Sequence, residues 1–186
     1  MTRPTQYTWT FFSISLLVTG AFWIWYTTVY FSRDIQQVIP APHKGFLAPD
    51  FTAKFLDGEE FLLSNLQGKP ILLNIWASWC SPCRREMPAL EQVYRLYHEQ
   101  GFTILAVNAT NQDQIDKVTE FVHELDLSFP ILLDENGRVI QVYQVEAFPT
   151  SFFISPDGII QDVVIGGPMT EALLRSRVEN LLRQRR

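Results

Sequence analysis

Two cysteines occur in the 186 residues, Cys80 and Cys83, spaced as Cys-Ser-Pro-Cys. Thiols three residues apart at a helix start can close a disulfide, so the pair is suited to exchange with disulfides elsewhere. The flanking sequence favours a thiolate at Cys80. An apolar run, Ile71-Leu72-Leu73-Asn74-Ile75-Trp76, leads into the pair and a helical pattern follows it. Cys80 is therefore expected where a buried strand passes into a helix N-terminus, where unpaired N–H groups and the helix dipole lower a cysteine pKa. Cys83, one turn further in, is placed to resolve a mixed disulfide formed on Cys80. Pro82 stiffens the turn at a position that needs no N–H.

Other uses of the pair fit less well. A purely structural disulfide closing so short a loop stabilises little. A closed zinc site needs four ligands, and His43, His98 and His123 are scattered away from the motif, so no metal is expected. Covalent haem attachment wants a histidine directly after Cys83, where Arg84 stands. The dithiol itself is the expected redox group, with no further cofactor.

The elements that position the pair can be read from periodicity. Residues 51–55 and 60–63 flank Asp57-Gly58 as a hairpin. After the strand at Ile71, Met87, Leu90, Val93, Tyr94 and Tyr97 recur at three and four, predicting a helix from Pro82 to about Gln100 that Gly101 ends. Pro88 interrupts that pattern at the cost of one helical hydrogen bond. Thr103 to Val107 is a second buried strand. A helix near 114–125 follows, with Ile115, Val118, Phe121, Val122 and Leu125 inward. Residues 129–133 form a strand, 137–143 a short helix, and 151–154 and 159–165 a closing hairpin around Ser155-Pro156-Asp157-Gly158. A last helix, 170–183, is expected to bury Leu173, Leu174, Val178, Leu181 and Leu182. Alternating strands and helices predict an α/β fold with a mixed sheet.

The first quarter of the chain is different. Arg3 is the sole charged residue before Arg33, and Trp9 to Phe31 is mostly apolar. About 20 such residues span the hydrocarbon layer, so residues 1–32 are expected to be one uncleaved transmembrane anchor, with Tyr7, Trp9, Tyr26 and Tyr30 as interfacial aromatics. Residues 33–46, holding Pro40, Pro42 and Gly45, are expected to be a linker, and 47–186 the soluble domain. Basic residues lie on both sides of the span, so charge does not set its orientation. The net charge of −5 is unlike that of a nucleic-acid binder, which presents a basic face.

With Ala48-Pro49-Asp50-Phe51, Trp76-Ala77-Ser78-Trp79-Cys80-Ser81-Pro82-Cys83, Glu86, Pro88 and Phe148-Pro149-Thr150 in hand, residues 47–186 resemble the membrane-anchored TlpA/ResA type of thiol-disulfide oxidoreductase in the redoxin (AhpC/TSA) superfamily. The resemblance implies a thioredoxin fold with an N-terminal hairpin extension. It also implies a soluble domain outside the cytoplasmic membrane and a transmembrane electron donor. The substrate is then a disulfide in a partner protein, for example in cytochrome c maturation. It gives Glu86 a part in proton handling at the thiols and makes Pro149 a cis-proline facing them, with Phe148 and Trp79 beside the partner. A plain first-turn acid stabilising the helix is the other reading of Glu86. Asn74 departs from the buried aspartate of thioredoxins proper, which shifts acid–base work toward Glu86, and Ala147 departs from the glycine of many relatives. An acidic neighbour keeps Cys80 from being extremely acidic and favours a reductant. Two rivals are a thiol peroxidase, for which Ala77 and Leu73 stand where a threonine and a proline are needed, and a module that binds clients without turnover.

Overall fold

The computed structural model describes residues 14–29 and 39–184. The chain divides into two compact units, Met1–Val38 and Ile39–Arg186. In the first, residues 14–29 are helical. Leu16, Leu17, Phe22, Trp23, Ile24 and Trp25 all expose more than half of their surface. The hydroxyls of Thr19, Thr27 and Thr28 donate back to the carbonyls of Ser15, Trp23 and Ile24 at 2.9 Å, so these polar groups are satisfied within the helix. Among the described residues no helix is long and apolar enough to cross a membrane. The expected span, Trp9 to Phe31, runs past this helix at both ends, and those ends, with Tyr7, Trp9 and Tyr30, lie outside the described residues.

The second unit is built on seven strands: β1 (Thr52–Phe55), β2 (Glu60–Leu62), β3 (Ile71–Trp76), β4 (Thr103–Asn108), β5 (Ile131–Leu133), β6 (Thr150–Ile154) and β7 (Ile160–Ile165). Its longer helices are α1 (Ser81–Tyr97), α2 (Ile115–Glu124), α3 (Arg138–Val142) and α4 (Glu171–Arg183). The strands form one sheet in the order β2-β1-β5-β4-β3-β6-β7. β3, β4 and β5 are parallel, and β6, β7 and the β1–β2 hairpin are antiparallel to their neighbours, so the sheet is mixed as expected.

Alternation along β3 divides the core into two layers. Leu72 and Trp76 pack with Met87, Leu90, Phe121, Leu174 and Val178 under α1, α2 and α4. Leu73 and Ile75 turn to the other face, with Phe51, Leu105, Tyr143 and Phe152. Asn74 therefore points from a fully buried strand toward the α1 layer. Pro88 sits on the exposed side of α1, which continues through it to Tyr97. Gly101 follows in a left-handed conformation, φ 86°, that a side chain would strain, and ends the helical run.

Three expectations are corrected. Ile115 and Leu173 are exposed rather than inward. Ile115 occupies the first position of α2, ahead of the packed stripe Val118–Phe121, and Leu173 lies one 100° step off the stripe of Leu174, Val178 and Leu181. The stretch expected as linker is not free at its C-terminal end. Gly45 N–H donates to Ile160 O at 2.8 Å, Ile160 N–H to Phe46 O at 2.9 Å and Ala48 N–H to Gly158 O at 2.8 Å. The backbone edge of the β6–β7 hairpin offers unpaired groups there, and residues 45–48 satisfy them.

Candidate active site

β3 ends at Trp76, a three-residue loop follows, and Cys80 caps α1. Its Sγ accepts a hydrogen bond from the Cys83 N–H at 3.2 Å, and Pro82 stands in the first turn. Cys80 and Cys83 are joined as a disulfide with Cα atoms 5.3 Å apart. Cys80 retains 4% of its surface and Cys83 none, so of the two residues only Cys80 reaches the surface at all. On reduction, the N–H that now points at Cys80 is placed to stabilise its thiolate.

The loop before Cys80 is held by a residue that the sequence reading passed over. Asp113 receives Ser78 N–H and Ser78 Oγ–H, both at 2.6 Å, and Asn108 Nδ2 and Gln114 N–H, both at 2.9 Å. Burial pushes its carboxyl up, but the hydrogen bonds from Asn108, Ser78 and Gln114 outweigh that, and it titrates below its ordinary value. The same segment holds Trp79, whose indole N–H donates to Gln112 O at 3.0 Å. Trp79 is 59% exposed and meets Phe148 edge to face, ring centres 5.7 Å apart. The Phe148–Pro149 bond is cis, as the resemblance implies. Trp76, by contrast, is wholly buried against Phe121. Asp113 carried one legible signal, an acid at the end of a polar loop just before a helix.

Glu86 is fully buried and α1 has no acid in its first turn, which goes against the other reading of Glu86 as a plain first-turn acid stabilising the helix. One carboxyl oxygen accepts from Asn74 Nδ2 at 2.8 Å and the other from Met169 N–H at 3.2 Å. Burial raises its pKa, and the bonds from Met169 and Asn74 recover part of the shift. Asn74 also donates to Ser151 Oγ at 2.9 Å, across the β3–β6 pair in which the two residues are direct partners. The fourth side of the pocket is Gly167. A Cβ there would lie 2.8 Å from a Glu86 carboxyl oxygen and 2.9 Å from Pro149 Cγ, so the carboxyl and the proline share space that only glycine leaves open. Ser151, Gly167 and Met169 were also missed; only the Gly167-Pro168 dipeptide marked a turn worth weighing.

The structure thus brings Cys80, Cys83, Pro82, Trp79, Phe148 and Pro149 to the end of the sheet where β3 passes into α1, and sets Glu86 beneath Pro149. A dithiol at a helix N-terminus, a buried acid and an aromatic wall can together carry out thiol–disulfide exchange with proton transfer.

Comparison with known proteins agrees with this geometry. A sequence profile described as "AhpC/TSA family" matches residues 45–163. The chain belongs to the AhpC/TSA family. It is 39% identical over 142 residues to "Thiol-disulfide oxidoreductase ResA" of Oceanobacillus iheyensis, covering 74% of this chain and 70% of that one. It is 39% identical over 137 residues to "Thioredoxin-like protein YneN" of Bacillus subtilis, covering 73% and 79%. Among solved structures, StoA from Bacillus subtilis superimposes with a TM-score of 0.60 at 33% identity, covering 69% of this chain and 96% of that one. A secreted Mycobacterium tuberculosis disulfide oxidoreductase, described as homologous to E. coli DsbE, gives 0.64 at 31%, covering 70% and 96%. This family member has a thioredoxin-like α/β fold and is a thiol-disulfide oxidoreductase.

Proposed function

We propose that this chain is a membrane-tethered reductase of protein disulfides whose domain works outside the cytoplasmic membrane, with Cys80 as attacking thiol, Cys83 as resolving thiol and Glu86 as proton carrier. The observation that carries the reading is the buried Glu86, three residues after Cys83 on α1, with its pKa raised by burial. A carboxyl tuned upward in this way exchanges protons nearer neutral pH than an ordinary surface acid does.

The Cys80 thiolate attacks one sulfur of the partner's disulfide, forming a mixed disulfide and releasing a partner thiolate that takes a proton from water. Cys83 gives its proton to Glu86 and attacks Cys80 Sγ. The bond to the partner breaks, the second partner thiolate takes up the proton from Glu86, and Cys80–Cys83 is left oxidised. Two electrons and two protons have then passed to the partner. Trp79 and Phe148 offer an apolar wall to the partner, and the backbone beside cis-Pro149 is a place for an extended segment to pair. An external donor must re-reduce the pair. A transmembrane carrier is the donor that the resemblance implies, as cytochrome c maturation is the process. The uncharged, exposed apolar helix at 14–29 supports the tether.

Cys83→Ser in cells is the direct test: mixed disulfides trapped on Cys80 would identify the partner, and their absence would overturn the reductase reading. The reduction potential checks direction. A value near about −120 mV, that of a dedicated oxidant, would reverse it.

A further inference from the structure

Glu86 must exist both with and without its proton if it is to carry one, and a buried seat built for only one form would resist the other. The donors around it suit the ionised form: Asn74 Nδ2 on one oxygen and Met169 N–H on the other. Yet Asn74 also holds a spare acceptor. Its Oδ1 is buried without a hydrogen-bond partner, while its Nδ2 serves both Glu86 and Ser151. We propose that Asn74 is a positioning residue that seats Glu86 in both protonation states by turning its side-chain amide between them.

The chemistry of the three groups allows it. With Glu86 ionised, the amide NH2 gives one hydrogen to the carboxylate and one to Ser151 Oγ, which is the arrangement seen. With Glu86 protonated, its O–H becomes a donor. A half-turn about the terminal torsion of Asn74 then brings Oδ1 to the same place, and an amide oxygen has two lone pairs to receive Glu86 and Ser151 together. Ser151 follows because a hydroxyl both donates and accepts. Each orientation leaves one end of the amide unmatched, the acceptor in the first and the NH2 in the second, and the proton on Glu86 decides between them. β3, β6 and the 166–169 segment contain no titratable side chain, so in the oxidised protein they set no charge against Glu86, and the thiols of Cys80 and Cys83 titrate only once the pair is reduced. On its own helix, Cys83 one turn back is held in the disulfide. An aspartate at position 74 would lack the donors that the ionised form needs.

This inference rests on the reading of Glu86 as proton carrier, and the experiment separates the two. In the full chain, NMR contacts between the Asn74 NH2 protons and the Ser151 side chain are followed through the Glu86 titration. They are expected at high pH and lost once Glu86 is protonated. In Glu86→Gln, whose amide must donate to residue 74, the low-pH pattern is expected at every pH. Contacts that persist in both cases overturn the turning amide. The second readout is the pH profile of disulfide exchange. Asn74→Leu, close in volume and lacking donor and acceptor, is expected to move the Glu86 inflection to higher pH by about a tenfold change in proton concentration. An unchanged or lowered inflection overturns the positioning role. A wild-type profile without any Glu86-dependent inflection sinks the proton-carrier reading instead. Should the leucine variant not fold, the wild-type and Glu86→Gln spectra decide.

Discussion

Two carboxyl groups lie on the segments that border the dithiol, and they are built in opposite ways. Glu86 is fully buried but receives only two hydrogen bonds, and its pKa is raised. Asp113 is only partly buried but receives four, and its pKa is lowered. Burial opposes charge on both, more strongly on Glu86, and the donors outweigh it only at Asp113. The outcome separates their work. Asp113 stays ionised and clamps Ser78, fixing the loop from which Trp79 and Cys80 project. On the proposed reading, Glu86 is held loosely enough to change state.

The contrast predicts different responses to the same chemical change. The largest effect is expected on catalysis: Glu86→Gln should slow reduction of a protein disulfide about 100-fold, the lower range for a lost general acid–base. Stopped-flow rates check it, and a change under threefold would remove Glu86 from the chemistry. Stability should show the reverse ranking. In either orientation Asp113→Asn turns its NH2 toward a backbone N–H, of Gln114 or of Ser78, that cannot accept, and it should cost on the order of 2 kcal/mol in urea unfolding. Glu86→Gln should cost less than this despite deeper burial, because Asn74 can turn to meet it. If Asp113→Asn proves the milder of the two, the clamp-and-carrier distinction fails.

The two acids should also differ in how stability follows pH. The folded-state pKa of Glu86 is raised, so its contribution is present below the unfolded value and lost as pH rises through the folded one. Glu86→Gln should therefore gain on the wild type as pH increases. For Asp113 the folded pKa is lowered, so its contribution is present above the unfolded value and lost as pH falls through the folded one. Asp113→Asn should thus lose most at neutral pH and converge with the wild type in acid. Unfolding curves at several pH values read both slopes, and parallel behaviour would refute the opposed shifts. Gly167→Ala probes the shared wall, with an expected loss of about 1–3 kcal/mol from overpacking against Pro149 and Glu86. Leu173→Ser, off the packed stripe, should stay within about 0.5 kcal/mol, whereas Leu174→Ala should cost about 2–5 kcal/mol.

Much of this was legible in the sequence, for reasons that also explain what was not. β3 was read at its true bounds because the run Ile71–Trp76, apolar but for Asn74, is bounded by Pro70 and the cysteine loop and is too short for a buried helix. The cysteines, Trp79 and Pro149 announce themselves by type and spacing. Glu86 was found by resemblance, but its burial was not, since three residues after Cys83 fits either of two faces of α1. The seat around it depends on Ser151 facing Asn74 across 77 residues of chain, and on a loop at Gly167 beyond another strand. No local pattern encodes a cross-strand register. Ile115 and Leu173 failed for a simpler reason: periodicity gives the direction of a stripe, but not where packing stops.

The seam that joins residues 45–48 to Gly158 and Ile160 also bears on access to the dithiol. β6 begins at Thr150, paired with Ile75 near the cysteines, and ends at Ile154, paired with Ile71, so the seam lies at the far pole of the sheet. Strands of this length put about 17–20 Å between the poles. Residues 45–48 are thus seated at one pole of the sheet and the dithiol at the other. A bulky protein partner can approach Cys80 without meeting residues 45–48.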